Sequence, residues 1–508
     1  MLATMGALGL TQTAEAATRE AASYKAPRKG DFTLSGRAAA KVVILGGGIA
    51  GLATAYELGK AGYDCTILEA QNRPGGRNFT VRGGTTTTDL NGVKQTARFS
   101  DGQYMNAGPA RLAQWMVTLD YCRELGVPIE VFTNVNADSF LYNESAGMTA
   151  PMRYRMAKAD VFGYTTELLA KATDQGALDK QLTAADKELL MEFLKDYGDL
   201  GATLDYTGST RRGYSEWPAA AGQPGVVAGD VPSVSEIFSS GVGRYFSFEF
   251  EFDQAMLMFQ PVGGMDRIPY ALAKAVGGHR IQYNSPVTKI TDTAHGVTIA
   301  YTRDGRPRSI DADFCVSAMP PNILAKVPHN LGSGVQSALE AIKPSSAAKI
   351  GLEYSSRWWE TDYRIYGGIT ETDLDVTHIW HPSYGFHGER GLLIGYYNTG
   401  ANADSYAPLT PAQREARAVA AGVKIYGAKY RTELATSFSH HWRQFPYQEA
   451  AWHSTPGGPD APQYKPLTQP TGHVYFAGDW LSYMDAWQHG AFTSARNAVS
   501  AIHQRVLA

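Results

Sequence analysis

The sequence is poor in cysteine: Cys65, Cys122 and Cys315 are the only three in 508 residues, they are widely spaced, and no C-x-x-C occurs. That excludes a disulfide framework or a cysteine-built zinc site as the basis of the fold. An excess of either charge is also missing. Lys and Arg number 46 against 49 Asp and Glu, a net charge of -3, so the basic footprint of a nucleic-acid or anionic-membrane binder is absent. No hydrophobic run reaches the roughly 18 residues of a membrane span, because Gly, Pro or charge interrupts each one. His440-His441 and His453 have no carboxylate or cysteine at ligand spacing, so no metal site is expected. These absences leave a small molecule as the expected partner, with no nucleic acid and no membrane span.

What is present fits a large globular protein. Hydrophobic residues make up 44% and aromatics 11%, ample for a sizeable core, and the length predicts two or three domains. Glycine, at 53 residues, runs to about 10% against the usual 7%, which predicts several places where backbone approaches a ligand. The apolar stretch Met1–Leu10, followed by Ala14-Glu15-Ala16, has the small-x-small pattern of an export signal without its positive start. A periplasmic or secreted location is the expectation from it; as a mere tail it leaves the protein cytoplasmic.

Lys41–Leu45 reads as a buried parallel strand, Ile49 to Ala61 as a helix stopped by Gly62, and Asp64–Leu68 as a second strand. Strand-like runs recur at 281–320, 349–354, 391–397 and 473–477. From 151 to 215 the pattern turns helical, notably through Thr183 to Phe193, and Gly222 to Pro232 reads as a loop. Between the first strand and helix, Gly46-Gly47-Gly48-Ile49-Ala50-Gly51 fits G-x-G-x-x-G, and Glu69 ends the next strand 23 residues after Gly46. Glycines there let backbone close on a pyrophosphate at a positive helix N-terminus, while the acid can accept from ribose hydroxyls. The fingerprint alone serves NAD and FAD equally.

The following residues separate the two. Leu68-Glu69-Ala70-x-x-Arg73-x-Gly75-Gly76-Arg77 resembles the flavin-containing amine oxidase family, as do Val474-Tyr475-Phe476-Ala477-Gly478-Asp479 with Ala486-Trp487-x-x-Gly490-Ala491, and Gln260–Asp266 followed by Val287. The resemblance spans 41 to 505. It implies FAD, and noncovalent FAD, since covalent members use a cysteine near the C-terminal motif or beside the isoalloxazine and no cysteine follows Cys315. The implied cofactor residues are Gly46, Gly48, Ile49, Ala50 and Gly51 in the first loop, then Glu69, Ala70, Gly76 and Arg77. Gly108, Pro109, Ala110 and Arg111 continue the set, with Val287 beside adenine, Trp452 flanking the flavin, and Gly478, Asp479, Ala486 and Trp487 near its reactive end.

Within the family, Asn106–Leu112 resembles the Gly-Pro-x-Arg segment of L-amino acid oxidases, which assigns Arg111 to the substrate carboxylate. Tyr396 stands where that group has a strand tyrosine sharing the carboxylate, and strict alternation turns Tyr397 to the opposite face. Trp487 matches the aromatic beside the substrate, the Ala486 carbonyl the acceptor for its amine, and Trp380 a pocket aromatic. Lys349 resembles the lysine held through a water to the flavin. The sequence departs from the family at Ala486 for Gly, His489 for Glu, and Ser494-Ala495 for Ser-Gly.

The resemblance implies an α/β fold, α+β overall, with a Rossmann-like FAD-binding domain of discontinuous segments (37–112, 262–343 and 440–508). A mixed-sheet substrate domain (113–150, 240–261 and 344–439), a helical subdomain (151–239) and a tail (1–36) complete it. The implied reaction is oxidative deamination of an L-amino acid by O2 to a 2-oxo acid, ammonia and hydrogen peroxide, in a homodimer or higher homo-oligomer. Catalysis rests on Lys349, Arg111, Tyr396 and Trp487. The alternatives are an amino-acid 2-monooxygenase, which gives an amide, and a primary amine or polyamine oxidase.

Overall fold

A computed structural model describes residues 32–254, 257–454 and 458–508. The signal-like stretch through Ala16 lies outside them. The described residues divide into two compact units, one built around 135–254 and 359–374, the other from 32–134, 257–358, 375–454 and 458–508. Both helices and strands are abundant, a mixed α/β content.

In chain order, the elements that frame the site in the larger unit are β1 (Lys41–Leu45), α1 (Ile49–Lys60), β2 (Asp64–Leu68), α2 (Val117–Leu125), β3 (Ile281–Gln282) and β4 (Phe314–Ser317). They continue with β5 (Ala347–Tyr354), β6 (His378–His381), β7 (Gly391–Thr399), β8 (Leu434–His441), β9 (Val474–Phe476) and α3 (Gln488–Leu507). A five-stranded sheet runs β3-β2-β1-β4-β9, with parallel pairing throughout.

Side chains of β1 alternate between two cores. Val42 and Ile44 pack with Leu52 and Leu58 of α1 and Phe492, Val499 and Ile502 of α3. Val43 and Leu45 join Ile299, Leu339 and Val474 on the other face. A sheet covered on both faces has no polar side to show, which is why β1 reads as an unbroken apolar run. Burying a Leu or Ile here contributes about 1.5–3 kcal/mol, so truncating Leu52 to Ala costs about 2–5 kcal/mol.

A second sheet segment, antiparallel, has the order β6-β7-β5-β8. Its register contains one irregularity that matters for the site. Ile350 faces Tyr396 while the next residue, Gly351, faces Ile394, leaving Gly395 as an extra residue in β7. A Cβ on Gly395 would stand 2.4 Å from Leu352 Cδ1, so the bulge has room for glycine only.

The smaller unit is led by helices Tyr154–Asp174 and Ala184–Gly198, the second capped by a reciprocal Thr183/Asp186 box. Its core holds Leu141, Tyr154, Ala157, Ile237, Val242 and Phe246. Asp160 is buried and meets Arg212 Nε at 2.8 Å, and Arg212 also donates to the carbonyls of Gly229 and Asp230 at 2.8 and 2.9 Å. That buried pair fastens the 228–230 segment to the long helix. Within the run read as a loop at 222–232, Val226–Val227 pairs with Tyr214–Glu216 as a short hairpin, two β-branched residues prevailing over their Gly and Pro neighbours. Among the described residues no helix is long and apolar enough to cross a membrane.

Candidate active site

β1 delivers the chain to Gly46, whose φ of 104° lies in the region open to glycine and whose N–H donates to the Leu68 carbonyl at 2.9 Å. At Gly51 a Cβ would come within 2.0 Å of the Gly46 carbonyl oxygen, so the first turn of α1 sits directly on the loop. Ile49 and Ala50 open that helix, and it carries no side-chain cap and no acid in its first turn. Gly48 faces open space. Uncapped helix amides beside an open glycine are what a pyrophosphate requires. Glu69 lies at the end of β2, its carboxylate accepting from the Gly47 and Gln71 amides at 2.6 and 2.7 Å. Burial pushes its pKa up, against the pull of those amides.

The second glycine turn docks on the first. Gly75 N–H donates to the Gly47 carbonyl at 2.8 Å, and a Cβ on Gly76 would lie 3.5 Å from the Gly48 Cα. Arg77 donates to the Ala451 carbonyl at 2.9 Å and pairs with Asp479, whose side chain is 6% exposed. The other Asp479 oxygen accepts from Ala486 N–H at 3.0 Å. Gly478 N–H donates to Ser494 Oγ at 2.9 Å, and Gln488 Nε2 reaches Asn78 Oδ1 at 2.6 Å. Two neighbouring glycine loops and a segment some four hundred residues later thus form one cradle, and α3 opens on it behind half-buried Trp487, again without a side-chain cap or an early acid. Ala486 adopts φ 65°, a left-handed conformation at the position where the family commonly has glycine.

Other residues of the expected cofactor set lie around this cradle. Ala70 follows Glu69, and Val287 opens a strand just after Ser285, whose N–H donates to the Glu69 carbonyl at 2.8 Å. Half-buried Trp452 follows Ala451, the residue held by Arg77. Gly108 leads into Pro109, Ala110 and Arg111, and its Cα lies so near Arg77 that a Cβ would be 1.9 Å from the Arg77 carbonyl oxygen. Trp442, which sequence reasoning did not single out, donates from Nε1 to the Ala107 carbonyl at 2.9 Å.

Lys349 closes the group. It is buried on β5, and Nζ donates to the carbonyls of Gly108 and Asn106 at 2.5 and 3.2 Å. Nζ also lies 4.5 Å from the Tyr397 ring centre and 5.1 Å from that of Trp380. The Arg111 guanidinium stands 4.8 Å over the same Trp380 ring. Burial, followed by the charge of Arg111, brings the Lys349 pKa down to about 7. Two cationic side chains therefore converge on one aromatic patch.

Tyr396 does not join them. Its ring is fully buried on the opposite side of the sheet, 4.7 Å from Tyr406, with Arg414 as its charged neighbour. The expectation placed Tyr396 with Arg111 and turned Tyr397 away. The extra residue at Gly395 reverses that assignment, because after a bulge the face of each side chain changes.

The histidines are held individually. His440 sits among Phe79, Trp442 and Phe445, with ring centres 5.6, 4.3 and 4.7 Å away, and burial drives its pKa well down. His441 Nε2 lies 3.0 Å from the Ala403 carbonyl and His453 Nε2 2.7 Å from Asn322 Oδ1. His489 Nδ1 accepts from Val117 N–H at 3.1 Å and so caps α2 from another element. Among the described residues no group of three or more His, Cys, Asp or Glu is placed to hold a metal. All three cysteines are buried free thiols, with the pKa values of Cys65 and Cys122 pushed up to about 12.

The family model for flavin-containing amine oxidoreductases matches residues 49–503. The chain belongs to that family. It is an oxidoreductase, and the family implies a flavin cofactor. Among curated relatives, the L-amino-acid oxidase of Notechis scutatus scutatus is 26% identical over 488 residues, covering 91% of this chain and 86% of that one. That of Pseudechis australis is 23% identical over 478 residues, with 90% and 86% covered. Of solved structures, cyclohexylamine oxidase from Brevibacterium oxydans IH-35A aligns with a TM-score of 0.63 at 19% identity, covering 93% of this chain and all of that one. Putrescine oxidase bound to putrescine aligns at 0.61 and 19%, covering 92% and 99%. These two show the fold.

Proposed function

We propose that the protein is an L-amino acid oxidase with noncovalent FAD. The observation that carries this reading is the convergence of Arg111 and Lys349 on Trp380, because the influences on Lys349 are burial and a second cation. A patch of that charge suits a substrate carboxylate and opposes a second ammonium, which favours amino acids over diamines. Arg111 binds the carboxylate through its planar fork, and the Tyr397 hydroxyl shares it. Trp380 and Trp487 flank the substrate, and the Ala486 carbonyl accepts from its amine. The cradle of Gly46 to Gly51, Glu69, Gly76, Arg77 and Asp479 holds the dinucleotide, supporting a Rossmann-like assignment of 37–112, 262–343 and 440–508 to FAD.

When bound, FAD supplies a two-electron acceptor for the hydride leaving the substrate Cα. The residues orient that Cα–H bond and exclude water, and no strong side-chain base is needed once the amine is deprotonated. Lys349, whose proton is only loosely held near neutral pH, serves the oxygen side of the cycle by organising a water or proton beside the flavin. The imino acid released hydrolyses to the 2-oxo acid and ammonia while O2 becomes hydrogen peroxide.

Anaerobic mixing with a panel of L-amino acids and amines, followed by admission of O2, tests this. Bleaching by L-amino acids with release of peroxide and ammonia supports it. An amide product assigns the protein as a 2-monooxygenase, and bleaching by amines alone removes Arg111 from its role.

A further inference from the structure

Beside the second glycine turn lies an open cleft of about 650 Å³, lined by none of the residues assigned to the reaction. Its size falls in the range of small-molecule sites. One wall is the threonine run Thr85–Thr88; Asn72 and Asn284 add amides, and Tyr270 and Tyr447 present exposed rings at 47% and 41%. Two guanidinium groups and one carboxylate line it. Arg82 and Asp266 cancel each other through paired bonds of 2.8 and 2.7 Å. Arg73 is left over: its bonded acceptors are the neutral carbonyls of Pro74 and Gly76, at 3.2 and 2.9 Å, and its guanidinium lies 4.2 Å over the Phe79 ring. Glu69 acts on Arg73 only from a distance, its carboxylate oxygens being engaged by the Gly47 and Gln71 amides.

A half-buried cation without a bonded counter-charge, next to a row of hydroxyl and amide groups and two tyrosine rings, matches an oxyanion carried on a hydroxylated body. We propose that this cleft, which borders the expected flavin cradle at Ala70 and Asn78, is a second ligand site for a small phosphorylated polyol of the sugar-phosphate class. Arg73 takes the phosphate, the Thr85–Thr88 wall and the amides of Asn72 and Asn284 take hydroxyls, and the tyrosines cover the C–H face. Because Arg73 also donates to Gly76, the ligand is coupled to the turn that packs on Gly48.

Calorimetric titration of the flavin-loaded full-length protein with glucose 6-phosphate, inorganic phosphate and glucose tests the site, since the flavin's own phosphate subsite is then filled. One saturable site for the sugar phosphate, at least tenfold tighter than for either fragment, is expected. The double variant Asn72→Ala/Thr87→Val, which leaves flavin absorbance and turnover unchanged, weakens it at least fivefold, and Arg73→Gln abolishes it. Absence of saturable binding, or binding indifferent to the double variant, overturns the site. Equal affinity for inorganic phosphate overturns the polyol assignment, and equal affinity for glucose overturns the oxyanion assignment.

Discussion

Lys349 and Tyr397 face each other directly across β5 and β7, with the lysine Nζ 4.5 Å from the tyrosine ring centre. The pair exists because β7 carries one residue too many. Counting two by two from Ile394 reaches Tyr396, whereas the bulge at Gly395 brings Tyr397 onto the face of Lys349 and Trp380.

The first prediction follows from that face. Tyr397→Phe removes the hydroxyl that the proposed function assigns to the substrate carboxylate, and a hydrogen bond to a charged group contributes about 1.5–3 kcal/mol. The expected result is a rise of roughly 10- to 100-fold in KM for L-amino acids, with kcat reduced far less. Tyr396→Phe, on the buried face with Tyr406, leaves KM within about twofold. Steady-state kinetics of the two variants decides, and the opposite ranking would return the role to Tyr396.

The contrast between these tyrosines shows where the sequence is legible. β1, α1 and β2 could be read because a doubly covered strand is continuously apolar and a glycine loop between strand and helix has few other uses. Arg77 and Asp479 could be paired only through a family resemblance, since 402 residues separate them. The bulge was not readable: Gly395 signals one only weakly, and its cause is the Leu352 side chain across the sheet. The Trp442 bond to Ala107 and the His489 cap on Val117 were invisible for the same reason, being contacts between distant elements without a local pattern.

Arg77 is the second test. Removing it leaves Asp479 buried and without its cation, while Ala486 still depends on that carboxylate. Loss of one partner of a buried pair costs about 3–5 kcal/mol; here Arg77 is 21% exposed, which places the expectation near the lower end. Arg77→Ala is therefore expected to lower stability by about 3 kcal/mol and to be purified with much less flavin. The ratio of flavin to protein absorbance, with urea unfolding, measures both. Normal flavin content with normal stability counts against the cradle.

Acid sensitivity gives the third. His489 accepts a hydrogen bond from Val117 N–H at Nδ1, and burial, followed by the charge of Arg496, lowers its pKa from 6.5 to about 4. Its folded pKa is depressed, so the unfolded chain takes up the proton first. The neutral ring's contribution is complete above pH 6.5 and disappears as pH falls toward 4, at most about 3 kcal/mol. Burial lowers His453 to about 3 and adds a slope of the same sign in an overlapping window. Stability measured by urea unfolding is expected to fall steeply from pH 6.5 to 4. His489→Gln, which keeps an acceptor without a titrating ring, makes that fall shallower; an unchanged slope removes His489 from the account.

Lys349 supplies the last prediction, and two halves of the cycle separate its possible roles. Its ammonium is disfavoured by burial and by Arg111, and the pKa near 7 puts the change of protonation inside the working range. Lys349→Met keeps the shape and the packing on Trp380 and Tyr397 but removes the donor to Gly108 and Asn106. If the lysine acts on the oxygen side, the variant is reduced anaerobically by L-amino acid at close to the normal rate. Its reoxidation by O2 slows by roughly 10²-fold or more, in the range of lost proton-transfer assistance. The pH profile of reoxidation also loses its inflection near 7. Stopped-flow measurement of both half-reactions from pH 6 to 9 reads these outcomes independently. A loss confined to reduction would instead make Lys349 part of the carboxylate grip with Arg111, and an inflection that survives the substitution must belong to another group.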